Sequence, residues 1–297
     1  MRHIDGVLLL DKPLGLSSNL ALQKAKRLFG AAKAGHTGTL DPLASGLLPV
    51  CFGEATKYSA MMLDADKSYL AVLKLGETTA TGDAEGEIIE RREIHVEEGG
   101  IEPVLALFRG EIRQLPPMHS ALKHKGKPLY AYIRKGVEIE RLERTVTIRE
   151  LVMSGFSGEE LHLSVRCSKG TYIRTLAEDI GKALGCGAHL KSLVRTGTGP
   201  FVLHDARTLG EIGASGDREA WLLPCDALLA DFDRLVLGKI EANCLSNGRS
   251  VDVSHDAGIY RLYDGENRFM GLVESDGLGK IRPKRMMSVQ ALEEEAF

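Results

Sequence analysis

Apolar and polar positions follow two different periods along this chain. Val7 to Leu10 form a short apolar run that reads as a strand. Ser17 and Ser18 then stand where they can cap a helix running to about Phe29, with Gly30 as its stop. Residues 31 to 46 have no periodicity and predict a loop, residues 47 to 52 read as a strand, and a helix is expected near Glu54 to Leu63. From Ser68 to Leu75 the period is two, so Tyr69, Ala71, Leu73 and Leu75 share one strand face. The same alternation recurs at Val146 and Ile148, and most clearly at Leu161, Leu163, Val165 and Cys167. That strand runs through Ser168-Lys169-Gly170-Thr171 into a helix with the stripe Ile173, Leu176, Ala177, Ile180 and Leu184, closed by Gly185. Strands feeding helices in this way predict an α/β or α+β fold.

Two segments stand apart. Residues 111 to 145 hold Pro116-Pro117 and then KHKGKPLYAYIRK (123 to 135), rich in Lys and Arg and free of acids, which predicts an inserted arm. After Asp231 and Asp233 the chain becomes short strands with turn signals at Asn247-Gly248, Asp264-Gly265 and Asp276-Gly277, the pattern of a small β-barrel. A domain boundary is expected near residue 233, dividing 1–232 from 233–297.

Composition narrows the class. With 297 residues, 43% hydrophobic and 27% charged, the chain is that of an ordinary globular protein with a real core, so global disorder is excluded. No apolar run approaches the ~18 residues of a membrane span. The start, MRHIDGVLLL, is too short for a signal segment, so a cytoplasmic protein is expected. Five scattered cysteines without a CxxC pair argue against a disulfide framework or a cysteine-rich zinc site. Cys186 and His189 are half a metal site with no second half, and Trp221, beside Leu222 and Leu223, is expected in the core. A net charge of -3 leaves room for a local basic surface.

Candidate chemistry resides in two stretches. In GHTGTLDPLASGLLP (35 to 49), Gly35 and Gly38 open backbone conformations closed to other residues, and Pro42 pushes Asp41 toward extended geometry. The Asp41 carboxylate then projects from a tightly specified loop; a plain Asp-Pro turn is the alternative. In CSKGTYIRT (167 to 175), Lys169, Gly170 and Thr171 open a helix, a natural anion site, with Arg174 one turn in. A surface cation is the alternative for Arg174.

DKPLGLSS (11 to 18), GHTGTLDPLASGLLP, the tyrosine of DADKSY (64 to 69) and CSKGTYIRT, in this order and at these separations, resemble the bacterial TruB family of tRNA pseudouridine synthases. The resemblance covers essentially the whole chain, more loosely at the C-terminus, where the strands around GLGKIRPKRM (277 to 286) look like the family's small RNA-binding PUA domain. It implies an α/β (α+β) protein with a mixed, largely antiparallel central sheet flanked by helices and a C-terminal PUA-like β-barrel. The implied activity is isomerisation of the uridine at tRNA position 55, in the T arm, to pseudouridine.

That reaction breaks the N1–C1' bond, turns the uracil and joins C1' to C5 with loss of the C5 proton. It involves no redox change, so no cofactor and no metal are expected, in keeping with the lack of phosphate-loop, dinucleotide or metal-ligand patterns. It needs an anion at the sugar or base, a cation to pair with it, and a base for the C5 proton. The resemblance makes Asp41 the anion, Arg174 its partner, and Tyr69 the residue stacked on the uracil with its phenol near the C5 proton. Attack at C1', at C6 or action at C2' stays open. A stacked uridine must be extruded, and the resemblance makes His36 the residue entering the vacated space and puts Tyr172 and Leu193 on the wall of the uracil pocket. Lys12 and Pro13 match a family motif near the site, where a supporting role is expected. RNA-backbone contact is expected from Lys123, Lys125, Lys127, Tyr130, Arg134 and Lys135 in the arm and from Arg282, Lys284 and Arg285 near the C-terminus. The expected partner is the T-arm stem-loop of tRNA, met by a monomer without guide RNA or membrane. The rival reading is a non-catalytic RNA-binding or tRNA-folding protein of the same fold; a glycosidase would need a second carboxylate partnered with Asp41.

Overall fold

The computed structural model describes residues 1–297 except 121, 125, 134, 135, 138, 289, 290 and 292–297. Its central sheet has eleven strands. The main ones are β1 (Gly6–Lys12), β2 (Ala44–Phe52), β3 (Lys67–Leu75), β4 (Gly110–Gln114), β5 (Arg144–Phe156), β6 (Glu160–Cys167) and β7 (Ala188–Thr198). They lie side by side in the order β1-β2-β7-β3-β6-β5-β4, with the two-residue strand Arg207–Thr208 outside β1. In this path only the β2–β7 pairing and that of Arg207–Thr208 with β1 are parallel, so the sheet is mixed and largely antiparallel.

Helix α1 (Ser18–Phe29) has the ends its sequence specifies: the Ser17 hydroxyl accepts from the Leu20 N–H, and Gly30 takes a left-handed conformation beyond the last turn. Its apolar stripe, Ala21, Leu22, Ala25 and Phe29, packs on Leu8, Leu10, Leu48 and Val50. Val7 and Leu9 point to the opposite face, into a core cluster with Leu47, Tyr263 and Phe269. Strand β1 is therefore buried on both sides, which is why it reads as an unbroken apolar run. Farther along the sheet, α2 (Glu98–Ala106) and α3 (Ile173–Ala183) cover Ala71, Leu73, Leu161, Leu163 and Val165.

The C-terminal residues form a separate five-stranded sheet, curled into a half-barrel, in the order Asp233–Val236, Gly258–Tyr263, Phe269–Ser275, Lys280–Met286 and Val251–Asp252. It leans on the first sheet through polar anchors as well as apolar packing. The Tyr58 hydroxyl donates to the Arg285 carbonyl and Lys57 Nζ to the Met286 carbonyl, each at 3.1 Å.

Several expectations are corrected. The helix near Glu54 to Leu63 is two short 3₁₀ segments, Gly53–Lys57 and Ser59–Leu63, too tightly wound to share one α-helical stripe. The strand expected from residue 47 starts at Ala44, and the preceding loop contains a short strand, Ala34–His36, paired with residues 50–52. Trp221 is 37% exposed rather than core, with the Arg207 guanidinium 4.4 Å above its ring. The ends of the expected arm belong to the sheet, since β4 pairs with β5 from Gly110↔Ile148 to Gln114↔Arg144.

Gly46 is a point of close approach. Its φ is 99°, and a Cβ there would stand 2.4 Å from the Arg195 carbonyl oxygen of β7. Gly46→Ala is expected to destabilise by roughly 2 kcal/mol or more, read as a lower urea midpoint at unchanged slope. An unchanged midpoint would mean that the β2–β7 pairing can yield.

Candidate active site

Asp41 lies on the loop leading into β2, which is held from three directions. Ser18 Oγ accepts from the Leu40 N–H at 2.7 Å and donates to the Leu40 carbonyl at 2.9 Å. The Gly15 N–H donates to the Pro42 carbonyl, and the Ala44 N–H to that of Asp41. Lys12, wholly buried, donates from Nζ to the Pro13 and Leu16 carbonyls and so fixes the DKPLG turn beneath the loop. Burial pulls its ammonium down to about 8, and the neighbouring Asp41 charge partly opposes that.

The Asp41 carboxylate meets a cation from α3: Arg174 Nη2 is 3.0 Å from Asp41 Oδ2. Asp41 is half exposed whereas the Arg174 side chain is 8% exposed, so a buried guanidinium presents one edge to a carboxylate at the mouth of a cavity. Its position is set from behind. Nη1 lies 3.3 Å from Asp83 Oδ2, Nη2 donates to the His119 carbonyl at 2.7 Å, and Nη1 donates to the Thr81 carbonyl at 3.3 Å. Asp83 is in turn fixed by the Thr81 hydroxyl and the Glu85 N–H. Two carboxylates thus share one arginine, one buried and structural, the other open to a substrate.

The cavity holds about 180 Å³, and Asp41, Tyr69, Tyr172, Arg174 and Leu193 all line it. Register explains the convergence: Leu193 of β7 is opposite Ala44 of β2 and Ala71 of β3, two residues from Tyr69. Tyr172 sits just before α3, with its backbone N–H and carbonyl both bonded to the amide of Gln114 at the end of β4. His36 lies in an adjoining groove with Asp41, Pro42 and Arg174. Burial and the Arg195 charge hold its imidazole below the ordinary histidine range, so it is neutral at pH 7, and Nδ1 accepts from the Gly38 N–H. Burial pushes the Tyr69 phenol up to about 12, while Arg195 works against that rise.

Other expected residues are spread more widely. Lys123 begins a two-residue hairpin strand paired with Lys127–Pro128, and Tyr130 begins a single helical turn. Lys127 is exposed, and Lys125, Arg134 and Lys135 lie outside the described residues. Arg282, Lys284 and Arg285 are exposed on one strand of the C-terminal sheet, with Lys284 paired to Glu274 at 3.2 Å. Cys186 and His189 are both buried, and His189 Nδ1 is 3.2 Å from the Glu77 carbonyl oxygen. Asp83, Gln114 and Arg195 are contributors that sequence reading missed. Asp83 sits in a Thr-Gly-Asp turn, Gln114 in a polar strand and Arg195 in a strand beside Lys191, and nothing local marks any of them as buried.

A carboxylate and guanidinium at the mouth of a cavity walled by two tyrosines and a leucine, on a mixed sheet beside a small β-domain, define an RNA pseudouridine synthase once the chain's relatives are considered. Residues 26–173 match the TruB family pseudouridylate synthase N-terminal domain, 174–235 the tRNA pseudouridylate synthase B C-terminal domain, and 234–287 the pseudouridine synthase II TruB C-terminal domain. The tRNA pseudouridine synthase B of Thiobacillus denitrificans is 55% identical over 97% of this chain and 98% of its own. That of Azoarcus sp. is also 55% identical, over 97% of each. Among solved structures, a chain from a Cbf5-Nop10-Gar1 complex superposes with a TM-score of 0.71 at 26% identity, covering 95% of this chain and 83% of the other. The chain belongs to the TruB family of tRNA pseudouridine synthases, isomerases that convert uridine to pseudouridine in RNA.

Proposed function

We propose that this enzyme acts on the uridine at position 55 in the T arm of tRNA, alone, as a cytoplasmic monomer without guide RNA, with Asp41 as the nucleophile and the target base flipped into the cavity. The observation that carries the reading is the Asp41–Arg174 pair at 3.0 Å on the rim of a cavity lined by Tyr69, Tyr172 and Leu193. The pair fixes the direction of a half-exposed carboxylate, and the cavity takes the base that the carboxylate's substrate must surrender. Tyr69 stacks on the uracil and receives the C5 proton, and neutral His36 fills the gap left in the RNA stack. Near end-to-end likeness to relatives named for tRNA favours the tRNA substrate over a guided one.

The substrate is local, so a T-arm hairpin alone is expected to be modified at its loop uridine at a rate within about ten-fold of full-length tRNA. Modification of full-length tRNA only would contradict a T-arm-confined site.

The arm within 111–145 and the segment 233–297 supply sequence-independent backbone contacts in this reading. Replacing Lys123, Lys125 and Lys127 together by Ala is expected to weaken tRNA binding. The salt slope falls by a little under one unit for every phosphate left without its cation, ~2 to 3 units in all. The single-turnover rate at saturating RNA stays near wild type. Normal affinity with a lost rate would instead make the arm a lid over the flipped base.

A further inference from the structure

Strand β7 carries a cation that the reaction scheme above does not use. Arg195 is 1% exposed, its Nε donates to the Leu47 carbonyl at 2.7 Å, and its Nη2 has no hydrogen-bond partner among the described residues. A buried guanidinium ordinarily stands against a carboxylate, because an unpaired charge away from water is costly. Here the group whose negative charge would favour the Arg195 cation is the Tyr69 phenol. The two are directly opposed across the β3–β7 ladder, and both line a chamber of about 220 Å³ that shares Tyr69 with the base cavity. Gly38 of the GHTGTLDPLASG segment lines the same chamber.

We propose that Arg195 is a positioning residue for the proton transfer from C5, holding the Tyr69 oxygen in place and supplying the counter-charge for its phenolate form. This rests on the reading of Tyr69 as the C5 proton acceptor. Once C1' is bonded to C5, the Tyr69 phenol gives its proton to water beside Arg195, the C5–H bond breaks, and its proton passes to the phenolate so formed. The electron pair restores C5=C6, the N1=C6 pair moves to N1, and N1 takes a proton from water. Tyr69 is left a neutral phenol, as it began. The buried positive charge, which has no carboxylate partner among the described residues, is thereby explained, since its anionic partner exists only in the reacting form of Tyr69. The other ionisable groups that act on Tyr69 are Asp41 from the loop before β2 and Cys167 at the end of β6. Lys67, on its own strand, and Lys12 and His36 sense the Arg195 charge.

The test is single-turnover kinetics on tRNA carrying either ordinary or C5-deuterated uridine, with tRNA affinity and melting temperature measured alongside. Arg195→Met removes the charge without leaving an orphaned carboxylate, and is expected to slow turnover by about 10² to 10³-fold and to expose a primary isotope effect of about two-fold or more. In a Tyr69→Phe background the same substitution is expected to add less than about three-fold, because the two act as a unit. Should the Met variant not fold, Arg195→Gln, which keeps a donor for the Leu47 carbonyl, is read by the same criteria. A wild-type rate, or a slowed rate with no isotope effect and full additivity with Tyr69→Phe, overturns the proposal. A Tyr69→Phe enzyme as fast as wild type overturns the Tyr69 reading itself, and this proposal with it.

Discussion

Replacing Asp41 by Asn is expected to lower the single-turnover rate of pseudouridine formation by at least about 10³-fold while leaving tRNA affinity within about three-fold of wild type. Asn keeps the size of the side chain and removes the anion that the reaction requires. Affinity is spared because it rests on phosphate contacts far more than on one half-exposed carboxylate. The fold is spared too, since Arg174 retains Asp83 at 3.3 Å and the Thr81 and His119 carbonyls. A nearly unchanged melting temperature therefore belongs to the same prediction. Turnover near the wild-type rate would remove Asp41 from the nucleophile role.

Arg174→Ala is expected to lose turnover to nearly the same degree but to fail in a second way. Asp83, 3% exposed at its side chain, would be left buried without its cation, at a cost of about 3 to 5 kcal/mol in stability. Activity and melting temperature should both fall, whereas Asp41→Asn lowers activity alone. The double variant Arg174→Met with Asp83→Asn removes both buried charges. It should recover much of the melting temperature and none of the turnover, which separates the scaffold half of the arginine from its catalytic half. Recovery of turnover in that variant, or an Arg174→Ala enzyme of normal activity, would break the link between the ion pair and the chemistry.

What the sequence made legible follows the range of the interactions involved. Ser17 and Gly30 bracket α1 because caps act over a few residues, and the stripes of β3, β6 and α3 are visible because burial repeats with the local period. Asp41 and Arg174 stood out through the strings around them, with Pro42 and the glycines marking a constrained loop. Asp83, Gln114 and Arg195 did not. Each owes its burial to partners from distant elements, Arg174, the Tyr172 backbone, and Leu47 with Tyr69, and a lone Asp, Gln or Arg carries no periodic trace of such a partner. Residues 53–63 misled for a related reason: one or two turns of 3₁₀ and α-helix have similar short-range composition, and packing against the C-terminal sheet decides between them. Trp221 misled because its apolar neighbours in sequence face inward to only a partial degree and Arg207 covers the ring from outside.

The most direct measurement of the central claim is to incubate the protein with an unmodified tRNA transcript, without metal or cofactor added, and to map pseudouridine chemically along the RNA, with Asp41→Asn in parallel. The account predicts one new pseudouridine, at position 55 in the T loop, formed by the wild type and absent with the variant. Tight binding of the transcript with no modification by the wild type, or equal modification by Asp41→Asn, would contradict it.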